Sequence, residues 1–480
     1  MEIITQNYEK ILENLIISNF SDIIKGNKQV NPNENKVFNY INILDTLDER
    51  ICDIAKKSLI TIFESLDRGF KNSPERMHNY HIKAHVTRTI MTIFGEITYR
   101  KTIYQNKRNY KTFCFIDDYL GLKKYDYFDP YIKASVLEYA ANNPSTKVAK
   151  IINDMIGNRV KLKEPFQYIS RQTIRNIILS SIISNPEYKE LETPDDLYIM
   201  ADEKFIATQN NKKEDVMVKE IVVFDGRTIK NKRTTLKNKM SFASFKNKKC
   251  VNDCLDYLYY VYDMDKIKNI YIMGDGAKWI KSLTFDFKVN KDTNISFNLD
   301  KYHFKQAVHH IGQNKLLEDY LSHYVINNMK NDFITCCDNL IFSYPYRKDT
   351  ITEKKQYILN NWNYINNLYK NQLKCPMESQ ISHTLADLFS SRPKAYSLNT
   401  LTYLLNLRLL YKNKFNIKLL FLNNFNKKEI LTFNQEHLNF DIFEPKTIPF
   451  DISLIPENYH PTHYYDSTYN IKNNDYLILN

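Results

Sequence analysis

The chain has 480 residues, which is more than one hydrophobic core usually supports, so roughly two to four domains are expected. Hydrophobic residues make up 43% and charged residues 25%, the balance of a soluble globular protein. The formal net charge of +12 indicates attraction to a polyanion such as nucleic acid, although a lysine-biased proteome is the alternative.

Cysteine usage and the absence of apolar segments indicate a cytoplasmic protein. The seven cysteines are odd in number and irregularly spaced, which is typical of a reducing compartment. Cys250 and Cys254 could begin a zinc site, but no second Cys/His pair follows at a suitable interval, so a structural role is favoured. The N-terminus lacks a basic segment, and no run of about 18 apolar residues occurs. We therefore expect no membrane association.

The first 129 residues combine helical and strand patterns. Apolar residues recur at helical spacing up to about residue 70, which predicts two or three helices. From His85 to Tyr104 the chain is rich in β-branched and aromatic residues, which predicts a β-hairpin with a Gly-Glu turn. The helical period returns at Pro130, where three helices are expected, the second and third capped by Ser145 and Ser170.

The third of these helices, ISRQTIRNIILSSI, has the pattern of a DNA-recognition helix. Its first turn carries Arg171, Gln172 and Thr173, and its isoleucines are expected to face inward. In helix-turn-helix modules this turn enters the major groove, where Arg and Gln read base edges. An ordinary helical hairpin with a polar face is the alternative.

After Pro194 the chain changes to apolar runs that end in acidic or turn residues, which predicts a central β-sheet. Asp202 follows the run LYIMA and Asp275 the run IYIMG, so both carboxylates are expected at the rim of the sheet. They would repel one another without a cation, and such ligands favour Mg²⁺, for which Mn²⁺ can substitute. Gly274 and Gly276 flank the second Asp and would let a phosphate approach closely. The alternative is that each Asp merely begins a loop.

A third carboxylate candidate is Glu378, in the segment CPMESQISHTLADLFSSRPKAYS. Pro376 suits the first turn of a helix, on which Glu378, Ser382 and Leu385 or Ala386 would share one face. A carboxylate early in a helix can lean over strand ends. Other acids in the helical block compete on sequence grounds alone, namely Glu318, Asp319 and Glu353.

A basic stretch lies between the two aspartates, from residue 227 to residue 249. It contains nine Lys or Arg and no acidic residue, with Phe242 and Phe245 interleaved. Positive charge beside an acidic metal cluster would hold DNA phosphates, whereas a solvated charged hairpin is the alternative. The side chains predicted to contact DNA are Arg227, Lys230, Lys232, Arg233, Lys237 and Lys239.

Seven segments, taken in chain order, resemble the ISLre-two family of insertion-sequence transposases, most closely the divergent members carried by integrative and conjugative elements. They are FGEITYRKTIY, FIDDYLGL, SRQTIRN, ADEKFI, GDGAKWIK, LDKYHFKQ and ESQISHTLADLFSSRPKAYS. The similarity extends from about residue 94 to residue 410. The last segment, with His383 and Ser390-Ser391-Arg392-Pro393, is the most specific. Lys204-Phe205 departs from the pattern, because a His usually follows the ADE-like motif.

The resemblance implies an RNase H-like catalytic fold with a DDE triad on Asp202, Asp275 and Glu378. The long separation between the second and third triad positions fits a helical insertion, as in Mutator-like transposases. Asp300-Lys301-Tyr302-His303 is similar to the Asp-x-x-His element of those enzymes. This similarity implies that His303 is a second-rank site residue that contacts the scissile phosphate.

The predicted fold class is a multidomain α+β and α/β protein. An RNase H-like catalytic domain with a helical insertion follows a helical, helix-turn-helix-like DNA-binding region and an N-terminal region of helices and a β-hairpin. The expected domains are the N-terminal region at 1–129, the DNA-binding module at 130–193, the first part of the catalytic core at 194–303, the helical insertion at 304–372, the closing helices of the core at 373–415 and a C-terminal tail at 416–480.

The sequence therefore predicts a Mg²⁺-dependent DDE transposase that cleaves and joins DNA strands at the ends of a mobile element. Its partner would be double-stranded DNA, and a homo-oligomer is expected because two ends must be held at once. Its location would be cytoplasmic, in association with the nucleoid. Two alternatives remain: an RNase H-like nuclease without strand transfer, and a non-catalytic DNA-binding protein descended from a transposase.

Overall fold

The structure is a computed structural model that describes residues 40–160, 168–209, 215–230, 233–288, 291–390 and 395–426. The chain divides into two compact units, one of residues 1–81 with 433–480 and one of residues 82–432. In the first unit, helices α1 (Tyr40–Lys71) and α2 (Pro74–Asn79) are described. Ser73 caps α2 by accepting a hydrogen bond from the amide of Arg76. The part of the predicted helical region before residue 40 and most of the predicted tail lie outside the described residues.

The predicted hairpin is present in a three-stranded sheet of β1 (Tyr80–Thr92), β2 (Gly95–Asn106) and β3 (Thr112–Phe113). Its turn lies at residues 93 and 94, not at the Gly-Glu pair, which opens β2. Thr92 stabilises this turn, because its hydroxyl donates to the carbonyl of Gly95 at 2.7 Å and accepts from the amide of Phe94. Gly95 has a φ of 113°, a conformation that favours glycine directly after the turn.

Two buried aspartates tie this sheet to the helices that follow. Asp117, on α3 (Phe115–Tyr119), pairs with Arg88 at 2.8 Å and also with Lys101. Asp129 accepts hydrogen bonds from an amide of the hairpin turn at 2.8 Å and from an amide in the first turn of the next helix at 2.6 Å. The hairpin is therefore fixed to the helical region through ion pairs and a helix cap.

The three predicted helices after Pro130 are α4 (Pro130–Ala140), α5 (Ser145–Val160) and α6 (Arg171–Ser180). Ser170 caps α6 by accepting from the amide of Thr173 at 3.2 Å, which confirms the predicted N-cap. The inward face of α6 is also confirmed. Its buried residues are Ile174, Ile177 and Ile178.

A five-stranded mixed sheet forms the centre of the second unit, in the order β10-β9-β4-β5-β8. Strands β10, β9 and β4 are mutually parallel, whereas β5 is antiparallel to both β4 and β8. Strands β6 and β7 form a separate hairpin. The strands are β4 (Asp196–Ile206), β5 (Val216–Phe224), β6 (Gly226–Lys230), β7 (Arg233–Lys237), β8 (Met240–Ser244), β9 (Asn269–Gly274) and β10 (Asn294–Leu299). Three of these, β6 to β8, lie in the predicted basic stretch.

Helices fill most of the remaining described chain. They are α7 (Asn247–Val261), α8 (Lys278–Asp286), α9 (Lys301–Gly312), α10 (Lys315–Ile326), α11 (Lys330–Ser343), α12 (Lys348–Asn360), α13 (Trp362–Lys370), α14 (Met377–Ile381), α15 (Asp387–Phe389), α16 (Leu398–Lys412) and α17 (Ile417–Asn426). A π-helical turn, Ser382–Ala386, joins α14 to α15. Short 3₁₀ turns occupy Met264–Lys266 and Pro345–Arg347. The helical block predicted after the last strand is thus present.

Side chains alternate across the sheet and enter two separate cores. Met200 belongs to a core shared with α4 to α6 and with α14 to α17. Its neighbours Ile199 and Ala201 point the other way, into a core shared with α7 to α13. The helices predicted to bind DNA therefore pack in one core with the sheet and its closing helices.

The remaining composition-based expectations concern cysteines and the membrane. All seven cysteines lie within the described ranges, and none forms a disulfide. Cys250 and Cys254 are buried in α7 against the sheet, where the Cys250 thiol lies 3.5 Å from the carbonyl oxygen of Phe242. Across the ranges given above, no helix is both long and apolar enough to cross a membrane.

Candidate active site

Three aspartates lie in a row where three parallel strands approach the same edge of the sheet. Asp202 lies on β4, Asp275 directly follows β9, and Asp300 directly follows β10. The register pairs Met200 with Met273, and the Asp300 amide donates to the carbonyl of Gly274 at 2.8 Å. Parallel register therefore places the three carboxylates side by side.

Helix α14 brings Glu378 to the same edge from outside the sheet. One ligand atom each from Asp202, His303 and Glu378 lie within 4.8 Å of one another. His303 comes from the first turn of α9, and its Nε2 is 4.0 Å from Oδ2 of Asp300. Two strand ends and two helices therefore bring four side chains together, namely those of Asp202, Asp300, His303 and Glu378.

Asp275 lies beside this group, although it is not part of the set that falls within 4.8 Å. Its Oδ1 accepts a hydrogen bond from the amide of Ala277 at 2.8 Å, and its backbone carbonyl accepts from the Tyr357 hydroxyl at 2.6 Å. It is close enough to raise the pKa of Asp202. The structure thus places Asp275 at the edge of the acidic cluster, held by α12.

The two glycines around Asp275 have a packing role in this structure. A Cβ on Gly274 would lie 2.8 Å from the carbonyl oxygen of Ala201 on β4. Gly276 has a φ of +92°, and a Cβ there would lie 2.7 Å from Oδ1 of Asn361. Both positions therefore require glycine for close packing against other parts of the chain, and the approach of a phosphate there stays a prediction.

The electrostatics of the cluster favour a bound cation. Burial, together with the charges of Asp275 and Glu378, raises the pKa of Asp202 to about 6. Burial also raises the pKa of Asp300. A divalent cation would relieve both effects, because it favours the ionised carboxylates. Carboxylate oxygens suit Mg²⁺ or Mn²⁺, and the softer imidazole of His303 suits Mn²⁺ better than Mg²⁺.

The helix bearing Glu378 continues into the π-helical turn Ser382–Ala386. This wider turn alters the spacing of the residues that lie on one face of the helix. Glu378 and Ser382 are exposed, whereas Leu385 is fully buried. Of the two residues expected to complete that face, Leu385 points into the core instead, whereas Ala386 is half-buried.

Arg408 on α16 is fully buried and holds this turn. Its Nε donates to the carbonyl of Thr384 at 2.9 Å, and its Nη2 donates to the carbonyl of His383 at 2.5 Å. It also pairs with Asp387 at 3.0 Å and donates to the carbonyl of Ala141 at the end of α4. One guanidinium therefore links α4, α16 and the segment that follows Glu378.

Glu220 on β5 is a further acidic residue next to the cluster. It is the cross-strand partner of Asp202 on β4. It is completely buried, and its polar neighbours include the Thr384 side chain and Lys239. Burial raises the pKa of Glu220 to about 8, and the lowering effects of Thr384 and Lys239 do not offset it. Glu220 therefore holds its proton at neutral pH.

Replacing Glu220 by Gln is expected to stabilise the fold increasingly as the pH rises. The unfolded carboxyl ionises above about 4.5, but the folded one keeps its proton until about pH 8. Wild-type stability therefore falls through this window by about 1.4 kcal/mol per pH unit from this group alone. Urea unfolding at pH 5 and pH 7.5 should show a growing advantage of Glu220→Gln. Exposed Glu190→Gln is the control, and equal shifts in both variants would contradict the assignment.

The predicted DNA-reading residues lie at a groove. Arg171 and Gln172 are exposed, and they line a cavity of about 860 Å³ together with Ser145 and Tyr396. Gln172 also donates to the side chain of Asn176 at 3.0 Å. Thr173 is half-buried, and its Oγ1 lies 3.0 Å from Oγ of the cap Ser170. The first turn of α6 therefore borders a shared groove, and its contact with DNA stays a prediction.

Two basic side chains of the predicted DNA-contacting stretch are occupied inside the protein. Arg227 stacks near Tyr198 and Phe224 and donates to the carbonyl of Lys374. Lys239 donates to the side-chain oxygen of Gln380 at 3.0 Å on α14. Both therefore brace the segment around Glu378.

The remaining basic side chains of that stretch are either exposed or outside the described residues. Lys237 is exposed. Lys232 lies outside the described residues, as do the side chains of Lys230 and Arg233. The interleaved Phe242 is buried in the core, and Phe245 packs against the other core. Interleaved aromatics here reflect a buried strand rather than a nucleic-acid surface.

Asp300 and Glu220 are acids whose place in the site was missed from the sequence. The signal for Asp300 was present, because the run NISFNL ends on an Asp as the runs before Asp202 and Asp275 do. Glu220 gave no comparable signal, since a single acid within VMVKEIVVF does not show that it is the cross-strand partner of Asp202.

A mixed α/β protein with an acidic cluster at the edge of its sheet is the class that the structure defines. The chain belongs to the uncharacterised protein family UPF0236, whose profile matches residues 34–419.

Relatives in one bacterium, Caldanaerobacter subterraneus subsp. tengcongensis, match most of the chain. UPF0236 protein TTE2489 is 27% identical over 79% of this chain and 80% of its own length. UPF0236 protein TTE0402 is 26% identical over 86% of this chain and 80% of its own length. A third relative, 26% identical over 84% of both chains, has a name that joins eleven locus labels. The family thus has many paralogues in a single bacterium.

Proposed function

We propose that this protein is a DDE-type transposase that cleaves and joins DNA strands at the ends of a mobile element. The observation that carries the proposal is the convergence of Asp202, His303 and Glu378 within 4.8 Å, beside Asp275 and Asp300. Phosphodiester transfer needs such a cluster, because carboxylates can hold divalent cations against the reacting phosphate.

The proposed catalytic domain is RNase H-like. Its support is the mixed five-stranded sheet, whose parallel strands end in the acidic cluster. Five helices, α9 to α13, lie between the last strand and the helix of Glu378, as expected for an inserted helical domain. The helix-turn-helix-like character of α4 to α6 and the six expected domains belong to the same proposal.

In the proposed reaction, Asp202, Asp275 and Glu378 would hold Mg²⁺ or Mn²⁺. Such ions supply a Lewis acid, lowering the pKa of an attacking water and stabilising the charge that develops on phosphate oxygens. Asp300 keeps His303 facing the same space, because it caps α9 and lies 4.0 Å from the imidazole. His303 can then contact the scissile phosphate. Water attacks the phosphorus and the bond to the 3′-oxygen breaks, which leaves a 3′-hydroxyl and a 5′-phosphate. That 3′-hydroxyl then attacks a phosphodiester of the target, and the displaced 3′-oxygen of the target strand leaves as a hydroxyl.

The partners in this proposal are double-stranded element ends, target DNA and a second copy of the chain. The charge of +12 supports DNA binding, and the acidic cluster needs basic surroundings if it is to receive a polyanion. Many paralogues in one genome support a mobile element, since an element that copies itself leaves related genes. A nucleoid-associated location in the cytoplasm would follow.

Strand transfer distinguishes a transposase from its nearest alternatives. Purified protein is incubated with Mg²⁺, labelled duplexes carrying the DNA that flanks its own gene, and a supercoiled plasmid. We expect joined products that carry the label on the plasmid. Cleaved ends without joining would indicate a nuclease. Specific binding without cleavage in Mg²⁺ or Mn²⁺ would indicate a non-catalytic DNA-binding protein, and either result would contradict the proposal.

A further inference from the structure

A basic pocket lies directly beside the acidic cluster and does not use the basic stretch predicted from the sequence. Its volume is about 330 Å³. Its lining residues are Asp300, Lys301, Tyr302, Lys305, Lys374, Cys375 and Pro376. Asp300, at the end of β10, therefore lines one side of the pocket. The segment that leads into Glu378 lines another.

The three lysines of this pocket come from two parts of the chain. Lys301 and Lys305 are one helical turn apart at the start of α9, so they share a face. Lys374 lies in the loop before α14, and its backbone carbonyl accepts a hydrogen bond from Arg227. Arg227 therefore fixes the loop that presents Lys374, which gives the inward-facing arginine a positioning role.

The ammonium groups of these lysines are available to a ligand. All three residues are exposed, and none forms an ion pair within the ranges that the structure describes. Lys301 makes a cation–π contact, in which its Nζ lies 5.7 Å from the centre of the Tyr369 ring. By contrast, Lys239 in the predicted basic stretch is half-buried against α14.

The charge pattern identifies the class of ligand. An acidic cluster repels DNA, so cations next to it are needed where the strand enters. Tyr302 adds an aromatic surface that is 54% exposed, on which an unstacked base can lie. We infer that the pocket of Lys301, Lys305 and Lys374 binds the phosphodiester backbone of the DNA strand next to the phosphate that is cut. This inference rests on the proposed function.

The test compares two triple variants with equal loss of charge. In the first, Lys301, Lys305 and Lys374 are each replaced by Gln. In the control, the same change is made at Lys288, Lys291 and Lys330, which are exposed, with Lys291 at the opposite end of β10. Binding of a short fluorescein-labelled duplex with a single-stranded overhang is measured by anisotropy over a series of salt concentrations. Ca²⁺ replaces Mg²⁺, since it is also an oxygen-binding cation.

We expect the pocket variant to bind at least about tenfold more weakly than wild type at low salt. Its plot of log affinity against log salt should lose roughly 0.9 in slope for each duplex phosphate contact removed. The control variant should bind DNA more tightly than the pocket variant, and its affinity should depend more steeply on salt. Equal losses in the two variants would overturn the pocket while leaving the transposase proposal standing. A wild-type protein that binds no DNA would overturn both.

Discussion

Replacing Asp202 by Asn is expected to abolish metal-dependent strand cleavage. The amide keeps the size of the side chain and can still accept the hydrogen bond from the Glu203 amide, which is 2.7 Å long in the wild type. It removes the negative charge that a divalent cation needs. Because the cation supplies several kcal/mol of transition-state stabilisation, the rate should fall more than about 100-fold. The measurement is nicking of a labelled element end in Mg²⁺, with DNA binding followed in parallel.

The matched control for this substitution is Asp195→Asn. Asp195 lies just before β4, at the end of the strand remote from the cluster, and its side chain is 70% exposed beside Lys268. This variant should cleave as the wild type does. DNA binding should survive in both variants, because the charge that is removed lies in the acidic cluster. Cleavage that persists in Asp202→Asn would place the active site elsewhere.

Replacing Arg408 by Met is expected to lower the free energy of unfolding by about 3 kcal/mol or more. The substitution leaves the buried carbonyls of Thr384 and Ala141 without the donor that they have in the wild type. Each unsatisfied group costs roughly 1–3 kcal/mol, whereas the partner Asp387 is largely exposed and can be solvated. Urea unfolding followed by circular dichroism measures the change.

A second variant separates stability from the placement of Glu378. Arg408→Lys retains the charge but cannot donate to several carbonyls at once, so cleavage should fall even under conditions where the protein is folded. Arg108→Met, at an exposed turn, should change stability by less than about 0.5 kcal/mol. A folded Arg408→Lys protein with wild-type cleavage would show that Arg408 does not position the π-helical turn for catalysis.

Elements with a local signal were predictable from the sequence. Ser170 caps its helix as expected, because the cap depends on an amide only three residues away. The strands before Asp202 and Asp275 were also recognisable, since a buried strand is a short apolar run whatever surrounds it. Parallel pairing then brings their ends to one edge of the sheet.

Features set by distant contacts were not predictable. Arg227 and Lys239 resembled a DNA-binding run, yet their partners are Lys374 and Gln380, more than a hundred residues away in sequence. The π-helical turn after Glu378 is another example, because the buried Arg408 that satisfies its carbonyls lies on a later helix. Periodicity and composition carry no information on such pairings.

The most direct test of the acidic cluster is Mn²⁺ binding measured by isothermal titration calorimetry, which needs no knowledge of the DNA ends. The wild-type protein is expected to bind Mn²⁺ with an affinity that decreases as the pH falls below about 6, where Asp202 gains a proton. Asp202→Asn combined with Glu378→Gln should lose this binding, while the Asp195→Asn control should retain it. Equal Mn²⁺ uptake by the wild type and the double variant would show that Asp202 and Glu378 do not form a metal site.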